Sequence, residues 1–225
     1  MFTTVFTDID DTLLDFTLCS RESIIITMAA AGIEYKEEYF PVFLRENDKL
    51  WKNVEKSVIS IDELYGVRWN TVFKIIGVDY DGPTFEKAFR KNLETVAVPI
   101  EGAADTLEYL HGKYLVCATS NAPHRQQELR LEKAGMSQFI DRLYTSEKIG
   151  VSKPKKEFFD YCLTDIGNVK KDEIILIGDS LTSDIRGGNA YGLTTVFFNK
   201  NGLSDNPDTV PDYKINRLEE IKNIL

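Results

Sequence analysis

The 225 residues are 43% hydrophobic and 28% charged, a mixture that supports a packed core and excludes collagen-like and disordered chains. With 27 Lys and Arg against 36 Asp and Glu, the net charge is −9, the wrong sign for gripping polyanions, so neither nucleic acid nor an anionic membrane surface is an expected partner. Cys19, Cys117 and Cys162 are odd in number and widely spaced, with no CxxC pair, which fits a reducing cytoplasm.

In chain order, Met1 to Phe6 has no basic run before Asp8, unlike a signal peptide, and Thr4-Val5-Phe6 predicts a first strand. The longest weakly polar stretch, Ile24 to Ile33, is far short of the ~20 residues that span a bilayer. Residues 15–95 show no strand-like run. Their apolar positions recur at helical spacing, as in Phe40, Phe43, Leu44 and Phe85, Phe89, and they hold both tryptophans, Trp51 and Trp69. The expected reading is an inserted all-helical domain over 15–95, with 1–14 and 96–225 forming the other domain.

From Pro99 onward one rhythm repeats: a short apolar run rich in β-branched residues, a polar turn, then a segment of helical period. The runs are Tyr114 to Ala118, Arg142 to Tyr144, Ile174 to Ile177 and Thr194 to Phe198, with helices through Glu157 to Leu163 and through Ile185 and Ala190. Such βα units predict an α/β fold, a Rossmann-like three-layer core whose mostly parallel sheet is covered on both faces. Ligands of such sheets sit beyond the carboxyl ends of the strands.

Two strand ends there are acidic. The first strand runs into Asp8-Ile9-Asp10-Asp11-Thr12, and the fourth run ends in Gly178-Asp179-Ser180 with Asp184 five residues after Asp179. Each segment alone reads equally as a turn or helix cap. An EF-hand does not fit, because counting from Asp8 the sixth position is Leu13 and the twelfth Cys19. Brought together in one sheet, the acids would form a cluster of oxygen ligands suited to a hard cation such as Mg²⁺, which would relieve their repulsion. Between them lie Ser120-Asn121 after the second run and Lys153-Pro154 before a helix. These too are ordinary caps or solvated positions singly, yet a hydroxyl, an amide and an ammonium are the groups that hold a phosphate.

Taken jointly, DxDxT at 8 to 12, Ser120, Lys153 and GDxxxxD at 178 to 184 resemble, in order and in strand-end position, the four motifs of the haloacid dehalogenase (HAD) superfamily. The helical insert is similar to the type 1 cap of that superfamily. More closely, Asp11 to Phe16, Leu50-Trp51, and Arg125 to Gly135 followed by Gly150 to Pro154 resemble the bacterial house-cleaning pyrimidine 5′-nucleotidases. Two positions depart from the pattern: Ser120 stands where Thr is commoner, and Ala122 where Gly is usual.

The resemblance implies phosphoryl transfer through an aspartyl-phosphate. Asp8 would be the nucleophile, a carboxylate that needs no base to activate it, and Asp10 the general acid and base. Mg²⁺ would be held by Asp8, the Asp10 backbone carbonyl, Asp179 and Asp184, the last directly or through water. Lys153 would neutralise nucleophile and phosphate, with Thr12, Ser120 and Asn121 at the phosphate. Phe16 and Trp51 are the candidates for stacking on a base. The expected partner is a small phosphorylated metabolite, a nucleoside monophosphate before others; no oligomeric state is specified. A sugar-phosphate phosphatase, a phosphomutase or a pyrophosphatase on the same scaffold stands as the alternative. A dehalogenase, a non-catalytic phosphate-sensing module and a receiver domain are the readings from other classes, and Asp10 argues against the dehalogenase.

Overall fold

The computed structural model describes residues 1–204 and 206–225. Strand β1 (Thr4–Thr7) is followed by four helices, α1 (Phe16–Ala30), α2 (Tyr39–Glu55), α3 (Ile61–Ile76) and α4 (Gly82–Leu93). The chain then alternates: α5 (Ala103–Leu110), β2 (Leu115–Ser120), α6 (His124–Lys133), β3 (Arg142–Thr145), α7 (Ser146–Ile149) and α8 (Lys156–Ile166). It closes with β4 (Ile174–Gly178), α9 (Arg186–Tyr191), β5 (Thr194–Phe198) and β6 (Tyr213–Ile215). Two compact units result, Met1–Phe16 with Ala97–Leu225, and Thr17–Val96.

In the first unit all six strands pair in parallel, in the order β3-β2-β1-β4-β5-β6. Side chains of a strand alternate between faces, and here both faces are apolar. Val5, Val116, Ile175, Ile177 and Val196 pack into one buried cluster with Leu107 and Leu131, while Phe6, Cys117, Ile174 and Leu176 pack into another with Phe158, Phe159 and Tyr191. The α/β three-layer expectation therefore holds, with β6 as an unforeseen edge strand. Only Ile215 of its three residues is buried, too little for a periodic signal.

The helical unit is centred on Trp69, which stacks on Phe43 at 5.2 Å and meets Phe85 at 4.3 Å between ring centroids. Ser60 caps α3 through the Glu63 amide, with the Glu63 carboxylate returning to the Ser60 amide, and Asp81 caps α4 through the Thr84 amide. Arg68, buried beside these rings, donates to Glu86 at 2.9 and 2.5 Å and to Asn47 at 2.8 Å. Among the described residues no helix is long and apolar enough to cross a membrane.

Candidate active site

β1 lies between β2 and β4, so the residues that follow all three strands share one end of the sheet. After β1 the chain turns at once: the amides of Leu13 and Leu14 donate to the Ile9 carbonyl at 2.8 and 2.9 Å, and the Asp11 amide donates to the Leu14 carbonyl at 2.7 Å. Asp11 occupies the left-handed region at φ 60°, which Asp tolerates better than most residues. This turn leaves Asp8 buried at the strand end and Asp10 partly exposed two residues on. After β4, a single π-helical turn, Leu181–Ile185, carries Asp184 back over the strand end, and the Ser180 amide donates to its carboxylate at 3.2 Å. A Cβ at Gly178 would run into that carboxylate, so the close approach requires glycine there.

The outcome is convergence. Asp8, Asp179 and Asp184, drawn from two neighbouring strand ends, each present an oxygen within 4.8 Å of the others. Lys153, 1% exposed, donates through Nζ to Asp8 Oδ1 at 2.6 Å, Asp184 Oδ1 at 2.7 Å and the Thr119 carbonyl at 2.9 Å. Burial works against its charge, but the Asp184 and Asp8 carboxylates overcome this and hold the ammonium above the usual lysine range. Burial pushes the Asp8 carboxyl well up, with Asp184 and Asp10 adding to the rise and Lys153 opposing it. Burial likewise raises Asp179, helped by Asp8, Asp11 and Asp184. Lys153 bonds two of these carboxylates, and Lys200, which bears on Asp179, also faces Asp11 and Asp15, so acids outnumber ammonium groups; a hard divalent cation would offset that surplus, and an all-oxygen donor set is what Mg²⁺ takes.

The remaining expected residues fall into place unevenly. Ser120, the last residue of β2, accepts from the Ala122 amide at 3.1 Å and from Gln127 at 2.8 Å, leaving its hydroxyl proton to donate. The Asn121 side chain braces the Lys153 loop, donating to the Lys153 carbonyl at 3.0 Å and accepting from the Lys153 amide at 2.9 Å. Thr12 is fully buried and its hydroxyl donates to Asp179 Oδ1 at 3.3 Å. The Asp10 carboxylate is not in the acidic cluster; it turns toward α6. Phe16 opens α1, half-buried, and Trp51 lies on α2 in the helical unit, also half-buried.

Three residues at the site escaped the sequence reading. Gln127 and Arg130 of α6 both bond to Asp10. Lys200, just beyond β5, donates to Asp11 at 2.8 Å and lies 3.5 Å from Asp15. A signal for Lys200 existed, since it follows an apolar run as the acids do. Gln127 and Arg130 sit three apart in a segment, His124–Lys133, whose buried positions are mostly polar, an oddity for a helix that packs on a sheet.

Comparison with known proteins identifies a family. The family model for haloacid dehalogenase-like hydrolases matches residues 2–192. The HAD-hydrolase YfnB of Bacillus subtilis is 30% identical over 224 residues, covering 100% of this chain and 95% of that protein. Its magnesium-bound orthorhombic crystal form superposes with a TM-score of 0.95, covering 100% of this chain and 98% of the other. The pyrimidine 5′-nucleotidase PynA of Streptococcus pneumoniae is 29% identical over 97% of this chain and 94% of its own length. YjjG of Escherichia coli, also a pyrimidine 5′-nucleotidase, is 27% identical over 98% and 96%. On its motifs, its sheet and these matches, the chain belongs to the haloacid dehalogenase-like hydrolases.

Proposed function

We propose that this protein hydrolyses small phosphate monoesters, nucleoside 5′-monophosphates before others, by way of a phosphoryl group carried on Asp8. The observation that carries the reading is the meeting of Asp8, Asp179, Asp184 and Lys153 at one end of the sheet, beside the Ser120 hydroxyl. The nucleotide preference rests on the likeness to PynA and YjjG.

An Asp8 oxygen attacks phosphorus while Asp10 gives its proton to the departing ester oxygen. A water molecule, losing its proton to Asp10, then attacks the phosphorus, Asp8 leaves as a carboxylate and inorganic phosphate departs. Lys153 keeps Asp8 oriented and balances charge as phosphate approaches. Ser120 and the Asn121 amide bind phosphate oxygens. Asp8, Asp179, Asp184 and the Asp10 carbonyl would hold Mg²⁺, a reading supported by the surplus carboxylates and by the magnesium-bound YfnB structure. When bound, the ion supplies electrostatic stabilisation of the transferring phosphoryl group. The helical domain, residues 15–95, sets the choice of substrate, and Phe16 and Trp51 are the candidates for stacking on a base. The setting is the cytoplasm.

The test is a panel of nucleoside monophosphates, sugar phosphates and pyrophosphate, each assayed for phosphate release with Mg²⁺ and with chelator. Fastest Mg²⁺-dependent turnover of pyrimidine monophosphates is the expected result. A sugar phosphate leading the panel would overturn the nucleotide preference, and no release from any ester would overturn the phosphatase reading.

A further inference from the structure

The Asp10 carboxylate is held at both oxygens by one helix. Arg130 Nη1 donates to Oδ1 at 2.5 Å, and Gln127 Nε2 donates to Oδ2 at 2.6 Å. The same Gln127 nitrogen donates to Ser120 Oγ at 2.8 Å, and Arg130 Nη1 donates to Gln127 Oε1 at 3.0 Å, closing the network. The Arg130 side chain is 0% exposed and that of Asp10 25%, so a fully buried cation anchors an acid that still reaches solvent. From this geometry we infer that Gln127 and Arg130 are positioning residues for the proton transfers of Asp10, and that Gln127 ties Asp10 to the phosphate-binding Ser120. The inference rests on the proposed acid and base role of Asp10.

Unheld, an aspartate beyond a strand end swings among rotamers, and misplacing a reacting group by about 1 Å can cost about 10²-fold in rate. Two donors on two oxygens fix the plane and direction of the carboxyl. Each oxygen keeps a second lone pair, so the network fixes the carboxyl without using up its acceptor sites. The link through Gln127 means that the distance between the proton donor and the phosphate oxygens bound at Ser120 is set by one rigid amide. A helix is also a firmer mount for such a device than a loop.

The test compares kcat/KM for an alkyl ester, a nucleoside 5′-monophosphate, with that for a nitrophenyl phosphate, whose leaving group departs without a proton. Asp10→Asn is the reference and should lose about 10²-fold more on the alkyl ester than on the nitrophenyl ester. Gln127→Leu and Arg130→Met should show the same split at about tenfold or more, and Arg130→Lys should recover part of it, since it keeps the charge but not the fork. Should Arg130→Met not fold, Gln127→Leu carries the test, because it leaves the guanidinium its carboxylate. Equal losses on both esters in the Gln127 and Arg130 variants would reduce them to packing residues and overturn the inference. Equal losses in Asp10→Asn would instead overturn the role of Asp10 itself.

Discussion

In the helical unit, the buried Arg68 guanidinium spends its donors on Glu86 and Asn47, one cation against one anion with a neutral amide completing the set. In the α/β unit, the buried Lys153 faces Asp8 and Asp184 with Asp179 beside them, and two of the three acids are pushed up by their surroundings. Both cations are buried, yet only one of the two places balances. A balanced buried pair fixes side chains and needs nothing further, whereas a surplus of one sign is tolerated only where something else arrives to offset it. Imbalance, more than burial or charge alone, sets the candidate site apart from the scaffold here.

The strongest test of this contrast is Asp8→Asn, expected to lower turnover on the order of 10⁴-fold or more. Because it removes one of the surplus charges, the variant should melt no earlier than the parent in a circular dichroism scan. Chelation of divalent ions should lower phosphate release by about 10²-fold or more, with activity returning on addition of Mg²⁺. In the balanced region the effect is on stability: Glu86→Gln leaves Arg68 buried without its counter-charge and should cost about 3–5 kcal/mol by denaturant titration. The activity of the molecules that remain folded should be little changed.

A pH experiment sharpens the contrast further. The folded-state carboxyls of Asp8 and Asp179 are raised, so the ion-free fold binds more protons than the unfolded chain and gains stability from them as pH falls. Protons therefore compete with a cation, and the rise in melting temperature on adding Mg²⁺ should be larger at about pH 7.5 than at about pH 5. An increment independent of pH would mean that the ion binds elsewhere. The smallest effect is expected at Trp51→Ala, where loss of a stacking surface should change the ratio of nucleotide to sugar-phosphate turnover by about two- to tenfold.

Much of this arrangement was legible in the residues. The strands announced themselves because β-branched apolar runs buried on both faces leave no polar alternation to confuse them, as at Ile174–Gly178. The acids were legible only jointly: each strand end alone reads as a turn or cap, but two acidic ends in one parallel sheet point to a shared cluster. β6 was not, since one buried residue carries no period. The Asp10 network was hidden for another reason: which face of α6 turns inward is decided by packing, and a segment as polar as His124–Lys133 gives no apolar stripe by which to orient it. Nor could spacing foretell the π-helical turn at Leu181–Ile185, whose extra residue places Asp184 over the strand end.

The sheet order has a consequence for how such an enzyme comes into being. Strand β1, which leads into Asp8, is synthesised before its two neighbours, which join it through pairs as distant as Thr4 with Leu115 and Thr4 with Ile174. A nascent chain can complete its helical insert while the strand that opens it still waits for partners. The acidic cluster is then assembled late, from segments that meet only once most of the polypeptide has left the ribosome. Such long-range closure predicts slow refolding from denaturant, and it leaves early fragments unable to gather the acids into one pocket.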